Sequence, residues 1–409
     1  MKILHTSDWH LGRVLYGKKR YKEFEDFLDW LLKTVIDEKV DVLLVAGDIF
    51  DTSTPSNRAQ ELYYRFLHQL IDSPCRHAIF IAGNHDSASF LDAPKQLLEA
   101  LHIHVVGKKR DPVDDEVLVL RDRQGAPELI VAAVPYLRDS DIRDAEAGES
   151  VEDKGKKLIE GIHRHYAEVA KLAEKTRQQW GEDIPIVGMG HLFTSGGRIV
   201  DGDGVRELYV GSLAHVDASR FPSCFDYLAL GHLHVAQKVH GMETARYSGS
   251  PLPMGFGEAH QKKKVYLVEF EKRKASVESL DVPVSQELER IQGNWDVISA
   301  RIRTLAATAS KKWLEVIYDG DEVIGNLRER LEALVEDSPM EVLRIKNNRI
   351  IEQVMKRCHD DESLGELKAD EVFRRCLEAH DVPETQRPGL IQAYQEVLQS
   401  LLEEDVRVQ

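Results

Sequence analysis

Apolar residues along this chain follow two rhythms. Short unbroken runs end the segments Lys2-Ile3-Leu4-His5-Thr6, Val42-Leu43-Leu44-Val45-Ala46, His77-Ala78-Ile79-Phe80-Ile81-Ala82, Ile184-Pro185-Ile186-Val187 and Tyr227-Leu228-Ala229-Leu230, with the length and continuity of strands buried on both faces. Between them, apolar positions recur at helical spacing. Phe24, Phe27, Leu28, Leu31, Leu32, Val35 and Ile36 predict one amphipathic helix, Leu62, Phe66, Leu67 and Leu70 predict a second over 57–71, and a third is expected over 89–101. Strand, helix and strand in alternation place the chain in the α/β class. Residues 117–134 read as two strands around Gln124-Gly125, residues 139–181 as charged helix, and 265–270 as the last strand of a domain spanning 1–275. Beyond Asp281-Val282-Pro283 the order strand, helix, strand, helix, strand predicts a small α+β module over 282–347, followed by a helical tail over 350–409.

Each buried run ends in a metal-ligand type of side chain. The first delivers Asp8 and His10, the second Asp48 after Gly47, the third Asn84, His85 and Asp86 after Gly83, the fourth His191 after Gly190, and the fifth His232 and His234 after Gly231. Ligands of such sheets collect beyond the strand carboxyl ends, so one site can gather all five tips. Asp8, His10, Asp48, Asn84, His191, His232 and His234 are more donors than one ion takes from protein. With one carboxylate bridging, they suit two ions roughly 3.5–4 Å apart, the arrangement that stabilises attacking and leaving oxygens at phosphorus. Mixed imidazole and carboxylate favours manganese, iron or zinc over magnesium or calcium. A single Asp-x-His or Gly-Asp is commonplace; five such motifs, each after a strand, are not.

Composition narrows the partners. A net charge of −16 over 409 residues argues against a protein that coats DNA by neutralising phosphates. Positive charge is nonetheless concentrated directly after the first motif, where Arg13, Lys18, Lys19 and Arg20 are candidate phosphate contacts. Lys262-Lys263-Lys264 reads as a solvated face. Cys75, Cys224, Cys358 and Cys376 are scattered without a paired spacing, as expected of packed thiols in a reducing compartment. With a strand starting at the N-terminus and no long apolar run, a cytoplasmic, nucleoid-associated protein is expected. No phosphate-binding loop of the Gly-x-x-x-x-Gly-Lys-Ser/Thr kind occurs, so any ATP dependence belongs to a partner.

Asp8-x-His10, Gly47-Asp48-x-x-Asp51, Gly83-Asn84-His85-Asp86, Gly190-His191 and Gly231-His232-x-His234 together resemble the signature of the calcineurin-like metallophosphoesterases. The opening Ile3 to Gly12, Phe27-Leu28-Asp29-Trp30-Leu31-Leu32 and Tyr247-Ser248-Gly249-Ser250-Pro251 are similar to a DNA-repair nuclease branch of that family. The resemblance implies a two-sheet sandwich flanked by helices, with a small α+β capping domain. It implies that Asp8, His10, Asp48 and His234 hold one ion, that Asp48, Asn84, His191 and His232 hold the other, and that His85 acts on the leaving group. Manganese is the expected ion. Also implied are double-strand exonuclease and single-strand or hairpin endonuclease activity in DNA repair, recombination and replication, a homodimer through the nuclease domain, and an ATPase partner engaged at its coiled-coil base.

Two other readings use the same ligands: a cyclic-nucleotide phosphodiesterase acting on a small substrate, and a scaffold without catalysis. Thr52-Ser53 after Asp51, and Asp86 after His85, depart from the protein phosphatase pattern. Asp86 beside His85 is a candidate orienting group, although adjacent strand-end residues can point apart. The tail carries seven Lys/Arg against fourteen Asp/Glu over 351–409, which gives it no reason to bind DNA. Its apolar positions Val372, Phe373, Leu377, Leu390, Tyr394, Val397 and Leu401 are the candidate partner face.

Overall fold

The computed structural model describes residues 1–142, 149–194, 197, 216–320, 322, 324, 326–347, 373, 374, 377, 387, 390, 391 and 394. It divides into two compact units, Met1–Ser285 and Gln286–Gln409. The first begins with β1 (Lys2–Thr6), a short hairpin of β2 (Val14–Leu15) and β3 (Lys18–Lys19), α1 (Tyr21–Asp37), β4 (Val42–Ala46) and α2 (Asn57–Ile71). Next come β5 (His77–Ile81), α3 (Ala88–Asp92), α4 (Lys95–Glu99) and β6 (Ile103–Val106). β1, β4, β5 and β6 are parallel neighbours, which brings their carboxyl ends to one edge of the sheet. The single helix expected over 89–101 is two, because Pro94 offers no N–H to continue the ladder and instead caps α4. α2 starts where Ser56 accepts from Ala59 N.

A second sheet follows from β7 (Val117–Arg121), β8 (Pro127–Ala133), α5 (Asp139–Ile142), α6 (Val151–Trp180), β9 (Ile186–His191), β10 (Tyr227–Gly231), β11 (Gln237–Val239) and β12 (Met242–Tyr247). β8, β9, β10 and β12 run parallel. β13 (Lys264–Glu271) and β14 (Lys274–Asp281) then return to the first sheet, with β13 antiparallel to β1. The first unit therefore does not end near 275 with the strand at 265–270. Lys274 to Asp281 mixes polar residues with Ala275, Val277 and Leu280, the pattern of an edge strand and not of a buried run.

Ile3, Val42, Leu44, Ile79 and Ile81 from one sheet meet Leu129, Val131, Val187, Met189 and Tyr227 from the other in a shared core. Fully burying one such side chain contributes about 1.5–3 kcal/mol. The outer face of the first sheet is covered by Phe24, Phe27, Leu31, Leu62 and Phe66 of α1 and α2, and that of the second by Ile162, Tyr166 and Val169 of α6. This is the two-sheet sandwich flanked by helices, and it locks the ends of β1, β4, β5, β9 and β10 in register.

The second unit has β15 (Leu288–Gly293), α7 (Trp295–Ala307), β16 (Trp313–Tyr318), α8 (Leu327–Val335) and β17 (Glu341–Asn347), with the three strands parallel. Its own core contains Ile298, Ile302, Leu314, Val316 and Leu331. In the tail, the rings of Phe373 and Tyr394 stack at 4.0 Å and 7°. Leu377 is buried, while Leu390 is exposed. Phe373 and Tyr394 thus stack on each other while each remains only half-buried. Val372, Val397 and Leu401 lie outside the described residues. Cys75 and Cys224 are unbridged. Among the described residues no helix is long and apolar enough to cross a membrane.

Candidate metal centre

The strand-end loops are held in conformations that ordinary turns avoid. Asp8, His10 and Asp48 have φ of 52°, 48° and 50°, in the left-handed region. Such backbone is costly for residues with a Cβ and persists where neighbours over-determine it. Here Asp8 N donates to Gly47 O at 2.9 Å and His10 N donates to Asp48 O at 3.0 Å, stitching the first two loops together. Gly47 has φ +87°, and a Cβ there would overlap the His191 ring; a Cβ on Gly83 would overlap Asp48. These two glycines precede Asp48 and Asn84 because the donors pack against the backbone itself.

Asp86 accepts from Gly83 N at 2.8 Å, Phe50 N at 2.9 Å and Ile49 N at 3.1 Å. It ties the second loop to the third and does not orient His85. Burial, with Asp48 nearby, pushes its carboxyl up to about 6. His85 is oriented by the main chain instead, its Nδ1–H donating to Asp51 O at 2.8 Å. His85 N also donates to Asp48 Oδ1 at 2.9 Å.

Within this frame the expected donors converge. Ligand atoms of Asp8, His10 and His234 lie within 4.8 Å of one another, as do those of Asp8, Asp48 and His191. His10 Nε2 and His234 Nε2 are 3.2 Å apart. Asp48 Oδ2 is 3.5 Å from His10 Nε2 and 3.3 Å from His191 Nε2. Asn84 Oδ1 lies 3.0 Å from His191 Nε2 and 2.9 Å from His232 Nδ1. His232 N donates to Asp8 Oδ1 at 2.9 Å. All seven side chains singled out in the sequence are thus in one place, with Asp48 reaching both groups.

The nitrogens facing away look toward oxygens of the fold. His191 Nδ1 donates to Ala46 O at 2.9 Å, His10 Nδ1 is 3.3 Å from Asp51 Oδ1, and His234 Nδ1 is 3.6 Å from Glu258 Oε1. Two buried imidazole nitrogens facing each other at 3.2 Å, with a carboxylate oxygen beside them, are a donor set that fits a divalent cation. Burial lowers His10, and burial together with His191 takes His232 down to about 3. For His191 burial works in the same direction, but Asp48 outweighs it and pushes the imidazole up to about 9. Burial alone would raise Asp48, yet His191 and His10 hold it well below the usual carboxylate range.

The calcineurin-like phosphoesterase family matches residues 1–236, the span that contains all seven donors and His85. The SbcD component of the SbcCD nuclease from Escherichia coli (strain K12) is 36% identical over 408 residues, covering 98% of each chain. The chain belongs to the SbcD family of calcineurin-like phosphoesterases. Its second unit agrees with that placement, since the family described as type 5 capsule protein repressor C-terminal domain matches residues 284–381. Another SbcD-family relative, from Bacillus subtilis (strain 168), is 37% identical over 273 residues, 66% of each chain.

Two readings of positive charge are corrected by this SbcD-family structure. Arg20 is buried, its guanidinium donating to both Glu23 oxygens and to Pro253 O, so it is not a phosphate contact. Arg13 pairs with Asp51 at 2.9 Å beside His10, and Lys18 and Lys19 form the hairpin strand β3. Lys263 is buried too, which overturns the solvated reading of that position. It lies against Glu258 and donates to Ser250 Oγ at 3.0 Å and His234 O at 3.1 Å. Its neighbour Lys262 stays exposed and Lys264 half-buried, so no local pattern in the sequence singles out Lys263 for enclosure.

Proposed function

We propose that the centre is a two-metal phosphodiesterase site, with Asp48 shared between the ions, and that its substrate is double-stranded DNA ends and single-strand or hairpin DNA. As an SbcD-family protein the chain is a metal-dependent phosphodiester hydrolase and a nuclease of the SbcCD type. The observation that carries the two-metal reading is Asp48 Oδ2 standing within 3.5 Å of Nε2 of both His10 and His191, one from each proposed ligand group. Asp8, His10, Asp48 and His234 would hold one ion; Asp48, Asn84, His191 and His232 would hold the other. Manganese is the proposed ion. What the bound ions supply is neutralisation of the phosphate oxygens and acidification of the attacking water.

The chain's own residues do the rest. His85 spends Nδ1–H on Asp51 O, which aims Nε2 away from the main chain. In its doubly protonated form His85 donates the Nε2 proton to the departing oxygen, the role of a general acid. Asp86 holds two loops together so that His85 and Asp48 keep their spacing. Arg13, Lys18 and Lys19 remain the phosphate contacts, now without Arg20.

The partners follow the same family reading: an SbcC-type ATPase bound by the C-terminal helices, in the cytoplasm, and a homodimer through the nuclease unit. Tyr64, Ile71, Leu97 and Leu101 support a dimer face there, being large apolar side chains left exposed. Incubating the purified protein with manganese, end-labelled duplex DNA and bis-p-nitrophenyl phosphate tests the function. Cleavage of the duplex is expected; turnover of the small ester with DNA left intact would make the protein a small-substrate phosphodiesterase instead. Deleting residues 350–409 should spare this cleavage and abolish association with the ATPase.

A further inference from the structure

Behind the ligand histidine of the last motif lies a buried charge pair that takes no part in the roles assigned above. Glu258 is wholly buried and Lys263 nearly so, and the two are in contact. Glu258 Oε2 also accepts from Met254 N at 3.2 Å. Its other oxygen, Oε1, accepts no hydrogen bond among the described residues and stands 3.6 Å from His234 Nδ1. Lys263 meanwhile donates to the His234 carbonyl at 3.1 Å, so the same pair grips the main chain and faces the ring of one residue.

A buried carboxylate is costly without a counter-ion and strongly held with one. Lys263 therefore keeps Glu258 ionised and acceptor-only, with Oε2 committed and Oε1 turned to the imidazole. An acceptor at that distance favours a proton on Nδ1. His234 Nε2 then presents a lone pair at the place where it faces His10 Nε2 at 3.2 Å. We propose that Glu258, fixed by Lys263, is a positioning residue that selects the His234 tautomer able to bind metal. This rests on the two-metal reading above for its consequence, though not for the tautomer itself.

The test uses the full chain and two readouts. Long-range nitrogen-15 NMR on the metal-free protein reports the His234 tautomer, and titration with manganese followed by electron paramagnetic resonance reports site affinities. In Glu258→Gln/Lys263→Met both charges are removed at nearly constant volume. The amide oxygen can keep Met254 N while its NH2 faces His234 Nδ1, which reverses the preference. Expected are a proton on Nδ1 in the wild type, a shift toward the Nε2–H form in the double variant, and one manganese site weakened about 10–100-fold with the other retained. An Nε2–H form in the wild type overturns the proposal, and so does a folded double variant with wild-type affinity at both sites. If the double variant melts early, the wild-type tautomer alone decides. A wild type showing the Nδ1–H tautomer but taking up only one ion would leave the positioning role standing and sink the two-metal reading.

Discussion

The two proposed halves of the centre each draw on two histidines and the shared Asp48, and are held by different means. Behind His10 and His234 stand carboxylates, Asp51 at 3.3 Å and Glu258 at 3.6 Å, each with its own cation in Arg13 and Lys263. Behind His191 stands the Ala46 carbonyl at 2.9 Å, and His232 leans on Asn84 at 2.9 Å. A carboxylate raises the basicity of the imidazole it touches, and a carbonyl only orients it. The first half is therefore tuned by side chains and open to single substitutions. In the second, His191 is held by main chain and His232 faces Asn84 of the same donor set.

The largest effect should come from erasing the distinction. Asp48→Ala removes the carboxylate common to both halves, and metal analysis should find both positions depleted with nuclease activity at background. Unchanged metal content would refute the shared-ligand assignment. Next comes His85→Gln, outside both halves: both ions should stay, while turnover falls by about 10²–10⁴-fold, the usual contribution of general acid–base catalysis. Loss of metal in this variant would show that His85 is a ligand.

Asp51→Ala sharpens the comparison directly. It deletes the carboxylate behind His10 but keeps the main-chain oxygen that orients His85, so one site should weaken about 10–100-fold and the other should not. Calorimetric manganese titration separates the two; equal weakening at both would erase the difference between the halves.

The smallest effect is on stability, from a histidine that serves neither half. His5 is wholly buried and hydrogen-bonded to the Tyr227 hydroxyl at 2.9 Å, and burial lowers its imidazole to about 3. The unfolded chain takes up a proton near pH 6.5 that the fold refuses. Stability from this group is complete above pH 6.5 and declines as pH falls toward 3, by up to about 1.4 kcal/mol per unit. In His5→Gln the urea midpoint should fall less between pH 7 and pH 5 than in the wild type; parallel curves would show that His5 is not the group responsible.

Much of this was legible along the chain because it is local. Continuous apolar runs announce strands enclosed on both faces, and the side chain after each run is fixed at the strand tip by position alone. Asp8, His10, Asp48, Asn84, His191, His232 and His234 could be named for that reason, and parallel pairing did the rest. The helix over 57–71 was equally readable from its period, whereas the break at Pro94 and the polar edge strand β14 were not, since a break or an edge leaves only a weak pattern.

What tertiary structure alone decided is the surroundings of those side chains. Arg20 and Lys263 look like surface charges in sequence, yet they are enclosed by Pro253 and by Glu258, Ser250 and His234, and no local pattern records such partners. Asp86 is next to His85 in the chain, but its oxygens serve Ile49 and Phe50, while Asp51, far upstream, orients His85 through its carbonyl. A strand's period determines which residues reach its tip. Which group then stands behind each of them depends on a donor or acceptor brought in from a distant loop, and that is a property of packing.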